Sequence, residues 1–99
     1  MLRDEIILIQ SGFVEIQNSP VTRYSHTKLP ILIDHFSNGY ITRYLFSNGC
    51  ESIINKLTKN VREAIQDGRA FARQPKSKIQ RIGRQIEAKI QKTEEEINP

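Results

Sequence analysis

Asn38-Gly39 stands between two runs rich in β-branched and aromatic residues, Ile31-Leu32-Ile33-Asp34-His35-Phe36 and Tyr40-Ile41-Thr42-Arg43-Tyr44-Leu45-Phe46, and no other stretch restricts the fold as much. Asn-Gly fills the two positive-φ positions of a type I′ turn, so the runs are expected to pair as a hairpin with a two-residue loop. The register follows: Phe36 opposite Ile41, Asp34 opposite Arg43, Ile33 opposite Tyr44 and Ile31 opposite Phe46. An acid then meets a base, and a slip of one residue would turn every side chain to the other face. One face carries Ile31, Ile33, Tyr44 and Phe46, the other Leu32, Phe36, Ile41 and Leu45. Both are apolar enough to want cover, from helices on one side and from further strands or a partner molecule on the other. Gly39→Val is expected to cost folding, because a β-branched residue resists positive φ.

Upstream, residues 5–10 and 13–18 flank Ser11-Gly12 and read as strand. They form either a second hairpin, pairing Ile9 with Val14 and Ile7 with Ile16, or one long strand kinked or bulged at Gly12. Residues 18–29, with Ser19-Pro20, three further hydroxyl residues and Tyr24, have no period and are expected to be an exposed loop. Loops of about a dozen residues often carry function.

From Glu51 the period changes, with Ile54, Leu57, Val61, Ile65 and Phe71 at helical spacing behind Asn48-Gly49-Cys50-Glu51, which fits an N-cap. A first helix is expected from near Cys50 to about Arg73. Pro75 interrupts, and Ser77-Lys78-Ile79-Gln80 is a capping box for a second helix over residues 78–96 with one narrow stripe of Ile79, Ile82, Ile86, Ile90 and Ile97. Such a helix is roughly 30 Å long, more than short strands can cover, so part of it should project or pair. Ala64, Gly68 and Ala72 make a strip of small residues, with Gly83 as a small position on the second helix. The expected architecture is one α+β domain over residues 1–99: a small antiparallel sheet of three to four strands in the N-terminal half (1–47), followed by two C-terminal α-helices in a basic half (48–99). Hydrophobic residues at 37% and charged residues at 26% are globular composition.

The chain carries 15 Lys and Arg against 11 Asp and Glu, a net +4. Residues 1–50 are balanced, four bases against four acids, while residues 51–99 hold eleven against seven. Arg69, Arg73, Lys76, Lys78, Arg81 and Arg84 fall between positions 68 and 86 with no acid among them, and Glu94-Glu95-Glu96 lies near the end. With Lys89 and Lys92 these six bases are the candidate surface for an anion or an acidic partner. On the second helix Lys78, Arg81, Gln85, Lys89 and Lys92 form a stripe beside the isoleucines. The bland alternative is an ordinary solvated helix surface.

Catalytic chemistry is thin. Asp34 and His35 are strand neighbours that point to opposite faces, so the carboxylate cannot orient the imidazole. His26, His35 and Cys50 are spaced by 9 and 15 residues, which matches no zinc pattern. Cys50 allows no internal disulfide, though a first-turn position would lower its thiol pKa. No GxGxxG, GxxxxGK[ST] or GxSxG motif occurs, and neither cofactor nor metal is expected. The longest apolar run, Ile6 to Ile9, is too short to span a membrane, and acids at Asp4 and Glu5 replace a basic leader, so a cytoplasmic protein is expected. The expectation is a small non-enzymatic protein-binding regulator, an adaptor or inhibitor, that uses the amphipathic basic helical half to engage another protein with an acidic surface. A homodimer through the second helix is expected with it. The alternative is a nucleic-acid-binding protein that lays residues 69–92 on phosphates, although only Tyr24, Tyr40 and Tyr44 could stack on bases.

Overall fold

The first described element is a helix where strand was expected. The structure, a computed structural model, describes the backbone of residues 3–97 and the side chains of residues 3–91. Helix α1 (Arg3–Gln10) leads to strands β1 (Phe13–Gln17), β2 (Thr22–His26), β3 (Ile31–Phe36), β4 (Gly39–Leu45) and β5 (Glu51–Ile53), then to helices α2 (Val61–Ala72) and α3 (Lys76–Ile97). The strands form one antiparallel meander in sequence order. The α+β class therefore holds, with an antiparallel sheet in the N-terminal half and two helices after it.

Residues 5–10 are helical because a four-residue apolar run suits a buried helical turn as well as a strand. Asp4 and Glu5 sit in the first turn, where the helix dipole favours acids. Ser11-Gly12, expected as a hairpin turn or bulge, is the helix stop. Ser11 N–H donates to the Ile7 carbonyl at 3.0 Å and Gly12 N–H to that of Ile9 at 3.1 Å, with Gly12 at φ +93°. The expected loop over residues 18–29 likewise contains a strand, β2. Only Tyr24 among its residues reads as apolar, since Arg23 and Ser25 face the opposite side, and Tyr24 is 3% exposed. With residues 5–10 lost to α1, β2 and β5 together bring the count from three to five.

The β3–β4 hairpin forms, but shifted by one pair step. Phe36 faces Gly39, Asp34 faces Ile41, Ile33 faces Thr42 and Ile31 faces Tyr44, so Ser37-Asn38 is the loop. A step of two residues preserves every facing assignment, and the two expected faces stand. Gly39 is held against the segment before α2. Tyr40 N–H donates to the Thr58 carbonyl at 2.7 Å and Thr58 N–H to that of Tyr40 at 3.1 Å. A Cβ on Gly39 would fall 2.5 Å from the Thr58 carbonyl oxygen. Asn48-Gly49, expected to cap a helix, is a turn instead. Asn48 Oδ1 accepts from Cys50 N–H at 3.0 Å, Gly49 takes φ +88°, and the chain folds back as β5. The first long helix therefore starts at Val61, not near Cys50. Asn60 is its cap, accepting at Oδ1 from Arg62 N–H at 3.0 Å and Glu63 N–H at 3.4 Å.

All three helices lie on one side of the sheet. There Phe13, Tyr24, Ile31, Ile33, Tyr40, Tyr44 and Phe46 join Leu8, Val61, Ala64, Ile65 and Ile79 in one core. The small-residue strip on α2 serves a sheet, not another helix. A Cβ at Gly68 would meet Ile31 Cγ2 at 2.8 Å and Thr42 Cγ2 at 3.1 Å, so its absence lets the α2 backbone settle on β3 and β4. Buried Thr42 Oγ1 donates to the Ala64 carbonyl at 2.9 Å. Helix α3 is seated by its first turns, with Ile79 buried, Gly83 against the Phe46 ring and Asn48 Nδ2 donating to the Gly83 carbonyl at 3.1 Å. Farther on, Ile90 is 46% exposed.

Candidate functional site

No element among the described residues covers the second face of the sheet. At its centre Asp34 binds two guanidinium groups. Arg23 donates from Nε to Oδ1 at 2.7 Å and from Nη2 to Oδ2 at 3.1 Å, and Arg43 donates from Nε to Oδ2 at 2.8 Å. Arg23 Nη2 also lies 3.4 Å from Glu51 Oε1. Arg23 faces Asp34 directly across β2–β3, whereas Arg43 reaches it diagonally, because the shifted register puts Ile41 opposite the acid. Asp34 is buried under these arginines. Burial pushes its carboxyl pKa up, but the two guanidinium hydrogen bonds and charges outweigh burial and hold it below the ordinary value. Around this network Val14, Leu45 and Ile53 share the same face and stay exposed. The face thus has an apolar rim around an internally neutralised polar centre.

Of the eight bases singled out in the sequence, four line two separate grooves. Arg69 and Arg73 line a groove of about 510 Å³ between α1 and α2, together with Arg62, Gln66, Ile7 and Ile65. Lys76 and Arg84 line a second groove, of about 500 Å³, where the start of α3 meets the end of β4 over Tyr44, Phe46 and Ile79. Lys78, Arg81 and Lys89 are exposed on α3, and the side chain of Lys92 lies outside the described residues. Among the described residues Arg69, Arg73, Lys76, Lys78, Arg81 and Arg84 have no acidic partner within 4 Å. Arg62 was missed, although its spacing of seven from Arg69 and eleven from Arg73 places all three on one helical stripe.

The titratable groups elsewhere hold the fold. His26 Nδ1 accepts from Lys28 N–H and Leu29 N–H, both at 3.0 Å, and its ring meets Phe13 edge-on at 5.0 Å. Burial lowers its pKa. His35 lies on the helix-covered face, stacked on Tyr40 at 4.4 Å, while Asp34 lies on the other, so these neighbours form no dyad. Tyr40 donates its hydroxyl to Asp4 Oδ2 at 2.7 Å, fastening α1 to β4; burial first, and the carboxylate second, push that phenol far above its ordinary pKa. Cys50 is partly buried in the β4–β5 turn instead of a first helical turn. No helix among the described residues is long and apolar enough to cross a membrane. In comparisons with known proteins, no family model, curated protein or solved structure matches the chain.

Proposed function

We propose that this chain is a non-enzymatic protein-binding regulator, an adaptor or inhibitor, that contacts its partner through the uncovered sheet face. The observation that carries the reading is the apolar rim of Val14, Leu45 and Ile53, 46%, 39% and 52% exposed, around an ion-pair network whose charges are already satisfied. Such a face offers apolar area for burial at little polar desolvation cost, because its carboxylate is desolvated before any partner arrives. The net +4, concentrated on the helical layer, steers an acidic partner toward the molecule without having to lie in the contact itself. The engagement of His26, Tyr40 and Asp34 in structural bonds supports a binding role over a catalytic one.

A second reading, binding to nucleic acid through residues 69–92, draws on the exposed Arg69, Arg73, Lys76, Lys78, Arg81 and Arg84, which have no acidic partner within 4 Å among the described residues. Capture from a lysate of the source cells, with and without nuclease and eluted in steps of salt, separates the two. Under the protein-binding reading a discrete protein survives nuclease, and the folded double variant Val14→Asp/Ile53→Asp loses it. Bound nucleic acid that is released steeply by salt and unaffected by that variant would establish the second reading instead.

A further inference from the structure

Arg62, Gln66, Arg69 and Arg73 follow one another at spacings of four, three and four, so they line a single flank of α2 over about 16 Å. All four are exposed. Opposite them stands α1, and between the helices runs the groove of about 510 Å³, with Ile65 buried and Ile7 partly buried in its lining. The acids close by in sequence are placed or occupied elsewhere. Glu63 Oε2 accepts from the Thr58 hydroxyl at 3.2 Å, Asp4 holds Tyr40, and Asp67 falls on another side of α2 by helical periodicity. The groove therefore combines two isoleucines, the partly buried Ile7 and the buried Ile65, with three guanidinium groups that have no acidic partner among the described residues.

We infer that the α1–α2 groove docks an acidic amphipathic segment of a partner protein, whose apolar side chains lie on Ile7 and Ile65 and whose carboxylates meet Arg62, Arg69 and Arg73. The inference rests on the protein-binding reading and adds a contact away from the sheet face. Charge complementarity names the class of ligand, since a guanidinium fork binds carboxylate or phosphate in two-point fashion. Two features choose carboxylate. No aromatic ring lines the groove, so bases would have nothing to stack on, and its two isoleucines add nothing to a phosphate backbone. A peptide that alternates acids with apolar residues at helical spacing uses both parts of the groove. Arg69 is already set in place, its Nη2 donating to the Ser11 carbonyl at 3.3 Å just past the end of α1, which lowers the ordering cost of binding.

The test is fluorescence polarisation on the full chain with three labelled probes, each of about 15 units. They are a peptide with leucines at helical spacing and glutamates between them, a scrambled peptide of the same composition, and a thymidine oligonucleotide. The patterned peptide should bind about tenfold or more tighter than the scrambled one, and Arg62→Glu/Arg73→Glu should weaken it by a similar factor. Neither arginine makes a structural hydrogen bond through its side chain among the described residues, so the double variant should fold, as circular dichroism checks. Gln66→Glu, which puts an acid into the row, should weaken the same probe on a second background. Equal binding of the two peptides, no binding of either, insensitivity to these variants, or tighter binding of the oligonucleotide would each overturn the groove assignment. None of these results touches partner capture by the Val14 and Ile53 face, so the two readings fail separately.

Discussion

The two faces of the one sheet are built from the same strands and meet opposite fates. On the covered face Phe13, Ile31, Ile33 and Thr42 are fully buried under the helices. On the uncovered face the corresponding alternate positions hold Arg23, Asp34 and Arg43 at the centre, with Val14, Leu45 and Ile53 exposed around them. Alternation along a strand sends successive side chains to different environments, so one segment can supply a dry core and a surface of its own design. What differs is how polar groups are satisfied. Thr42 finds a backbone carbonyl of α2, whereas Asp34 is satisfied within the sheet and stays ready for a surface that brings no counter-charge.

Substitutions at four positions sharpen or break this contrast. Ile33→Ala removes a fully buried side chain from the covered face and should cost about 3–4 kcal/mol of unfolding free energy in a urea titration. Asp34→Ala leaves two guanidinium groups facing each other. It should cost about 2–3 kcal/mol, less than a wholly buried pair, because both arginine side chains keep a quarter of their surface in water. The same carboxyl gives a pH signature. Its pKa in the fold lies below the unfolded 3.8, so its stabilisation is complete above about 3.8 and drains away as pH falls through the folded value. Acid titrations of the native chain and of Asp34→Asn should therefore converge at low pH, and curves that stay parallel would remove the ion-pair account. Thr42→Val keeps the shape but leaves the Ala64 carbonyl without that donor, for about 1 kcal/mol by thermal melting. Ile53→Ser, at the exposed rim, should change stability by less than about 0.5 kcal/mol while weakening partner capture. A loss as large as that of Ile33→Ala would mean that the second face is part of the core.

His26 offers a further check on the covered side. Its neutral ring accepts two backbone N–H bonds at Nδ1, and burial holds its pKa below 6.5. The unfolded chain therefore takes up the proton first, and stability should fall as pH drops below about 6.5, until the folded ring also protonates. His26→Gln should flatten that part of the stability profile.

Much of this was legible before the structure. The helical period of Val61 and Ile65, the isoleucine stripe from Ile79 and the β-rich runs on either side of Asn38-Gly39 each identify an element, because period reports directly which side of the chain is buried. The faces of the β3–β4 hairpin were legible too, and they survive a displaced register because a step of one pair keeps parity. The register itself was not. Docking of Gly39 and Tyr40 on Thr58 involves a segment eighteen residues away, and those backbone hydrogen bonds outweigh the turn preference of Asn-Gly. The same dipeptide at Asn48-Gly49 makes a tight turn where a helix cap was expected, because β5 was too short to announce itself. Residues 5–10 were ambiguous in principle, and β2 hid because its polar positions are filled by an ion pair rather than by solvent.

For the candidate surfaces the division is similar. Composition and spacing determined by themselves that the chain would be a sheet followed by two helices, that one hairpin would be apolar on both sides, and that its positive charge would belong to the helical half. Tertiary structure decided which sheet face stayed open, that Asp34 would gather two arginines, and that Arg62 would stand with Arg69 and Arg73 while Lys76 and Arg84 turned to another groove. Local rules follow from the geometry of a single element. Which elements cover one another depends on buried area and on hydrogen bonds between residues far apart in the chain, and those balances exist only once the whole chain is folded.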